Sequence, residues 1–209
     1  MTFKEMQDEV YVNIKDASLQ SKIPGALNDA YKTAVNDVHV PDLKLFTTVN
    51  TVIGKSYLSL PEGVIGRLLY IGNAAGKFVL ADGGLTELLE EDPGLLSIGS
   101  VWKVAQEGKL IWYIDQPDSV ETLYVLLYKE PPEMVADGST PSYLPFMLHR
   151  QLLVYKATAL LYNIIEEGVE GEKVNTINYE NLYQRQGLDK LREWLAKLKN
   201  HSTSSIWSV

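Results

Sequence analysis

Cysteine is absent from the 209 residues, which removes disulfide frameworks, thiolate nucleophiles, Fe–S clusters and Cys-type zinc sites together. Histidine is scarce. His39, His149 and His201 are too scattered to suggest a metal cluster, so neither a metal nor a cofactor is expected. Positive charge is the minority: 19 Lys and Arg stand against 27 Asp and Glu, a net charge of −8, and the electrostatic footprint of a general nucleic-acid binder is missing. Long apolar runs are lacking too. The greasiest segment, Leu152 to Ile165, is interrupted by Lys156, Thr158 and Asn163 and is shorter than the roughly 20 residues of a membrane span. Lys4, Glu5, Asp8 and Glu9 break up the first residues, unlike a secretory signal. A protein that is not exported and has no membrane partner is the expectation, and Asn200-His201-Ser202, a match to the glycosylation pattern, reads as chance.

What is present is an ordinary globular composition, 45% hydrophobic and 22% charged, enough for one generous domain or two small ones. Thr2 followed by Glu5 is a capping-box pattern, and Phe3, Met6, Val10 and Ile14 recur at helical spacing. After a break at Ala17 to Lys22, Pro24 suits a first helical turn; Leu27, Tyr31, Ala34 and Val38 form the next stripe, and Pro41 stops it. From Asp42 to about Lys129 the period is two, with Thr, Val and Phe suited to half-buried strands. Turns at Gly54-Lys55, Pro61 to Gly63, Gly72 to Gly76, Glu107-Gly108 and Pro117-Asp118 divide about six strands, Val64 to Ile71 and Lys77 to Leu80 among them. Leu85, Leu88 and Leu89 among glutamates predict a short amphipathic helix, which Pro93-Gly94 ends. A Pro/Gly/Ser-rich stretch, Pro131 to Pro145, closes this region. The helical period then returns. Leu148, Leu152, Tyr155, Ala159 and Tyr162 occupy one face of the next helix, Met147, Val154, Leu161 and Ile165 another, and only the line His149, Lys156, Asn163 looks wet. Such a helix packs centrally or against a neighbouring copy. Gly168 is its natural stop. The last helical region spans about Thr176 to Lys199, with a kink or break near Gly187, and the tail ends in Ile206, Trp207 and Val209, an apolar cluster suited to docking.

The fold class is therefore α+β, with helical parts at 1–41 and 142–199, a β-rich part at 42–141 with strands enough for a small sandwich or barrel, and an extended tail at 200–209.

Catalytic motifs are not apparent. Gly72 to Lys77 is one residue short of a phosphate loop, with Phe78 where a Ser or Thr must bind magnesium; before Gly54-Lys55-Ser56 the first glycine is replaced by Val49. Both read as hairpin turns. No serine has glycine two residues to each side, as a nucleophile elbow requires. Carboxylates cluster at Glu87 to Asp92 and Glu166 to Glu172, but at helix ends, where solvated charge is the common finding. The 12 tyrosines are spread over every element, as in a protein that presents amphipathic contact surface in many directions. No catalytic residue is assigned, and the protein reads as not an enzyme.

The order of parts carries a resemblance: two N-terminal helices, a strand leading into Ser56-Tyr57-Leu58-Ser59-Leu60-Pro61, a sheet with a short Leu/Glu helix, a strand ending near Pro131, and Tyr143-Leu144-Pro145 opening two long helices. Over about residues 1–199 it resembles the head-to-tail adaptor (connector) proteins of tailed bacteriophages, especially those of short-tailed phages. That resemblance implies a helical bundle formed by the N- and C-terminal helices, 1–41 and 142–199, with an inserted antiparallel β-rich domain, 42–141, in a structural virion protein present in the host cytoplasm during assembly. It implies a ring, usually dodecameric, that docks on the portal after DNA packaging. The ring offers a platform to a tail nozzle or tail-tube protein and encloses a channel that DNA crosses without specific binding. By similarity Ile206, Trp207 and Val209 dock on the portal. Met147, Val154, Leu161 and Ile165 are the expected subunit-interface residues, since a head-to-tail ring needs two different sticky faces. An excess of carboxylates suits the channel wall, because Lys and Arg there would hold phosphates. The rival readings are a carbohydrate-binding or hydrolytic tail component and a generic α+β binding module.

Overall fold

The computed structural model describes residues 1–60, 66–167 and 173–204. It is α+β, and the chain divides into two compact units: Met1–Asp42 with Pro131–Val209, and Leu43–Glu130.

The helical unit begins with α1, Phe3–Ile14. Glu5 donates its backbone N–H to the Thr2 side chain and the Glu5 carboxylate accepts from the Thr2 N–H, so the capping box is complete, and Phe3, Met6, Val10 and Ile14 are buried. Residues 17–22 are not a plain break but six residues of 3₁₀ helix, started by Asp16, whose carboxylate accepts from the Ser18 N–H. α2, Ile23–Val38, opens with Pro24 in its first turn and buries Leu27, Tyr31 and Ala34; Val38 is only half-buried and Val35 takes its place in the core. His39, at φ 50°, closes α2 as a left-handed cap.

The Pro/Gly/Ser-rich stretch after Glu130 lies along this unit as a strap. Asn28 both donates to the Met134 carbonyl and accepts its N–H; the Phe3 and Lys4 N–H groups donate to the Ser139 and Asp137 carbonyls; the Tyr143 N–H donates to the Tyr31 hydroxyl oxygen. Backbone polar groups that a free linker would leave to water are paired here, so the segment is ordered despite its composition.

The long helix then runs from a 3₁₀ turn, Phe146–Leu148, through a π-helical turn, Arg150–Val154, into α4, Tyr155–Ile165. It packs on α1, on α2 and on α5, Val174–Leu182. A second π-helical turn, Tyr183–Leu188, joins α5 to α6, Asp189–Ser204, without a break. The phase change expected as a kink near Gly187 is thus absorbed by a wider turn, whose i→i+5 bonds take in an extra residue. The two π turns lie against each other. A Cβ built on Gly187 would stand 2.9 Å from the Gln151 carbonyl oxygen, so only glycine permits this approach.

Among the described residues the β unit holds eight strands in two four-stranded sheets. β1 (Lys44–Asn50), β3 (Gly66–Asn73), β4 (Gly76–Lys77) and β8 (Thr122–Lys129) form one, in the order β1-β8-β3-β4. β2 (Tyr57–Ser59), β5 (Val79–Leu80), β6 (Lys103–Glu107) and β7 (Leu110–Tyr113) form the other, in the order β2-β7-β6-β5. The single strand expected at 77–80 is split. Phe78 turns inward and donates its N–H to the Ile71 carbonyl, after which the chain crosses to the second sheet and pairs parallel with β6. Inward residues alternate as a pleated strand requires: Val104, Ile111 and Tyr113 from one sheet meet Leu123, Val125 and Leu127 from the other. α3, Leu85–Glu91, covers the outer face of the second sheet through Leu88, against Ala105 and Ile114.

Candidate functional site

Within the two acidic clusters, Glu87, Glu91, Asp92 and Glu166 are engaged in holding the fold. Lys103, buried on the outer face of β6, is paired with Glu87 at 2.6 Å and with Glu91 on the next turn of α3. Hydrogen bonding to those two carboxylates raises its pKa, and the Lys103 bond, together with the Gly83 N–H, lowers that of Glu87. Asp92 accepts from the Ser97 and Gly94 N–H groups. Glu166 caps the start of α5, accepting from the Asn175 N–H, the Thr176 N–H and the Thr176 hydroxyl, and its pKa is lowered chiefly by the hydroxyl. No group of three or more His, Asp or Glu side chains able to hold a metal exists among the described residues.

The tyrosines differ from expectation: several are internal rather than displayed. Tyr31, Tyr113 and Tyr183 are fully buried; burial pushes the Tyr31 hydroxyl up to about 12 and raises that of Tyr183, which donates to Asp37 at 2.8 Å. Tyr155 and Tyr162 both meet Tyr179 between α4 and α5. His149 also departs from the wet line assigned to it. It is 2% exposed, bonded through Nε2 to the Leu144 carbonyl at 3.1 Å, and burial lowers its pKa. Lys156 is likewise covered and paired with Glu180 at 2.8 Å.

The four candidate subunit-interface residues are not brought together. Val154 and Leu161 are enclosed by the chain's own helices, at 0% and 1% exposure. Neither retains surface for a neighbouring copy, because α1 and α2 pack on both the π turn at 150–154 and α4, α5 packs on α4, which holds Leu161, and the π turn at 183–188 packs on the one that holds Val154. Met147 and Ile165 do retain surface, at opposite ends of the same helix. Met147 is exposed beside Phe146, and Ile165 beside Ile164, with Val174 and Ile177 exposed at the start of α5. Ile206, Trp207 and Val209 lie outside the described residues, while α6 continues to Ser204.

Among the described residues of the β unit, five exposed aliphatic side chains gather at the loop end where β1 and β7 finish and β2 and β8 begin. Val52, Ile53, Leu96, Ile98 and Val120 are between 45% and 76% exposed there. The loops carrying them form one framework. The Gly54 N–H donates to the Pro117 carbonyl, the Thr51 N–H to the Glu121 carbonyl, the Gln116 N–H to the Ser97 carbonyl and the Gly99 N–H to the Gln116 carbonyl. The buried Leu95 carbonyl accepts from the Ser56 hydroxyl and the Gln116 amide. Two non-glycine residues here, Leu95 at φ 48° and Asp115 at φ 67°, are left-handed, a conformation that costs about 1 to 2 kcal/mol per residue. Beside these loops a groove of about 460 Å³ is lined by Tyr57, Leu85, Leu89, Leu96 and Trp112. Sequence reasoning passed over this end. The signal was available in Pro93-Gly94-Leu95-Leu96-Ser97-Ile98-Gly99, where apolar residues sit in a loop bounded by Gly and Pro and are not needed for a strand.

Carboxylates tied into the fold, buried tyrosines and apolar side chains displayed on hydrogen-bonded loops fit a protein of the contact-forming class. The family model described as SU10 adaptor protein matches residues 1–204, and the chain belongs to that family of phage adaptor proteins. Membership implies a structural role in the virion. Among the described residues no helix is long and apolar enough to cross a membrane. A comparison with curated proteins found no match.

Proposed function

We propose that the protein is the head-to-tail adaptor of a short-tailed phage. Copies form a dodecameric ring that docks on the portal after DNA packaging, receives a tail nozzle or tail-tube protein, and encloses a channel for the genome. The observation that carries this reading is the match to the adaptor family over residues 1–204.

The geometry supports it. A closed ring needs a heterologous contact, made of two different patches on each copy. The long helix offers them: Phe146 and Met147 at its start, Ile164 and Ile165 at its end, the latter beside Val174 and Ile177. Twenty residues of helix separate them by about 30 Å at 1.5 Å per residue. Met147 and Ile165 are therefore kept as interface residues, on different partners. Ile206, Trp207 and Val209 are assigned to the portal, as an apolar segment beyond the end of α6. The net charge of −8 suits a wall that repels the duplex and leaves it free to slide.

Mixing the purified protein with portal rings tests the reading. A ring-on-ring complex in electron micrographs is expected, and truncation after Ser204 is expected to weaken docking while leaving the helical content unchanged. A protein that stays monomeric and unbound beside the portal overturns it.

A further inference from the structure

Resting on the adaptor reading, we propose that the loop end of the β unit is the surface that receives the tail protein, and that the matching face of that protein has aliphatic hollows bordered by lysine and arginine. Five aliphatic side chains, Val52, Ile53, Leu96, Ile98 and Val120, stand in solvent on three loops. They cannot be spared from a core they do not reach, and a loop exposed only to water gains nothing from them. Their framework is fixed before any partner arrives. The Gln116 backbone and amide tie two of the loops and Ser56 together, and Leu95 and Asp115 are held left-handed. Pre-ordering of this kind removes the entropy that flexible loops lose on binding. The adjoining groove lined by Tyr57, Leu85, Leu89 and Trp112 is open for an apolar side chain of the partner, so the contact interlocks in both directions.

Charge selects the occupant. Segments 51–55, 92–99 and 115–121 contain the acids Asp92, Asp115, Asp118 and Glu121 and a single cation, Lys55, which stands over the Tyr57 ring at 5.7 Å. A second copy presenting the same end would bring carboxylate against carboxylate, which disfavours self-contact. An anionic lipid surface would be repelled in the same way, although apolar loop tips are otherwise suited to it. A protein face with aliphatic hollows and a basic border satisfies both features.

The test uses the full-length protein bound to portal rings, the tail nozzle protein of the same phage, and vesicles of phosphatidylcholine and phosphatidylglycerol. L96D/I98D is expected to keep the wild-type melting temperature and portal docking and to hold the nozzle protein at least about tenfold more weakly, as for central residues of an interface. Asp118→Lys, at an exposed position, is expected to weaken nozzle binding several-fold and carries the test if the double variant melts early. Nozzle binding unchanged in both variants overturns the proposal while leaving the ring intact. So does vesicle flotation that L96D/I98D abolishes in a protein that does not hold the nozzle. Failure of the wild type to dock on the portal is the separate result that overturns the adaptor reading itself.

Discussion

His149 is covered from water and bonded through Nε2 to the Leu144 carbonyl, so the fold favours the neutral imidazole, with a pKa below the ordinary 6.5. The unfolded chain has the ordinary value and takes up a proton first as the pH falls. Below about pH 6.5 the unfolded state therefore binds more protons than the folded one, and stability drops, by up to about 1.4 kcal/mol per pH unit, until the depressed folded pKa is passed. Above about pH 7.5 this group contributes no slope. His149→Gln retains a donor for Leu144 without the titration, so its urea midpoint is expected to fall less than that of the wild type between about pH 7.5 and 5.5. Parallel curves for the two proteins would show that the imidazole is hydrated in the folded state. The same cover explains why the helical period misplaced this residue: it sits at the start of the helix, where Phe146 approaches it edge-on at 5.4 Å and the strap from 131 to 145 closes over a face that spacing alone reads as wet.

At the scale of elements, the two π turns are held together by the absence of a side chain. Replacing glycine by alanine inside a helix ordinarily gains about 0.5 to 1 kcal/mol from chain entropy. At Gly187 the new Cβ meets a backbone carbonyl at 2.9 Å and the Leu152 side chain at 3.1 Å, an overpacking that costs about 1 to 3 kcal/mol. The clash is with backbone and therefore wins. Gly187→Ala is expected to lower the urea midpoint, and a higher midpoint would mean the turns are not in contact. Much of this architecture is legible in the sequence because it is local. The capping box at Thr2 and Glu5, the buried stripe of α1, the glycine turns at Gly54 and Gly108, and α3 all follow from neighbours in the chain. What fails is what depends on distant partners. The split of 77–80 between two sheets is decided by Phe78 entering a core built from β7 and β8. Val154 and Leu161 fit the pattern of an interface face because their cover comes from distant segments: α1 and α2 on the whole helix, α5 on α4, and residues 183–188 on the π turn that holds Val154. The loop-end aliphatics were invisible to periodicity, since loops have none.

At the scale of the whole molecule, a chain that makes a ring must avoid contacts that close too early. If Met147 of one copy touched Met147 of the next, two copies would satisfy each other and growth would end as a dimer. Apolar patches at opposite ends of one helix cannot satisfy each other within a copy, so each addition leaves one patch of each kind open until the circle closes. This makes single and mixed variants tell different things. Met147→Glu removes one patch and Ile165→Glu the other, each at a side chain exposed in the free chain, and neither alone is expected to give a ring on the portal. Mixed in equal amounts, the variants have one intact junction between them, the Ile165 end of the first with the Met147 end of the second, so assembly is expected to stop at pairs. Native mass spectrometry of portal-bound material counts the copies directly. A full ring from either variant would remove these residues from the junction. Pairs formed by either variant on its own, each joined through its one intact end, would mean that like ends meet and that the contact is two-fold.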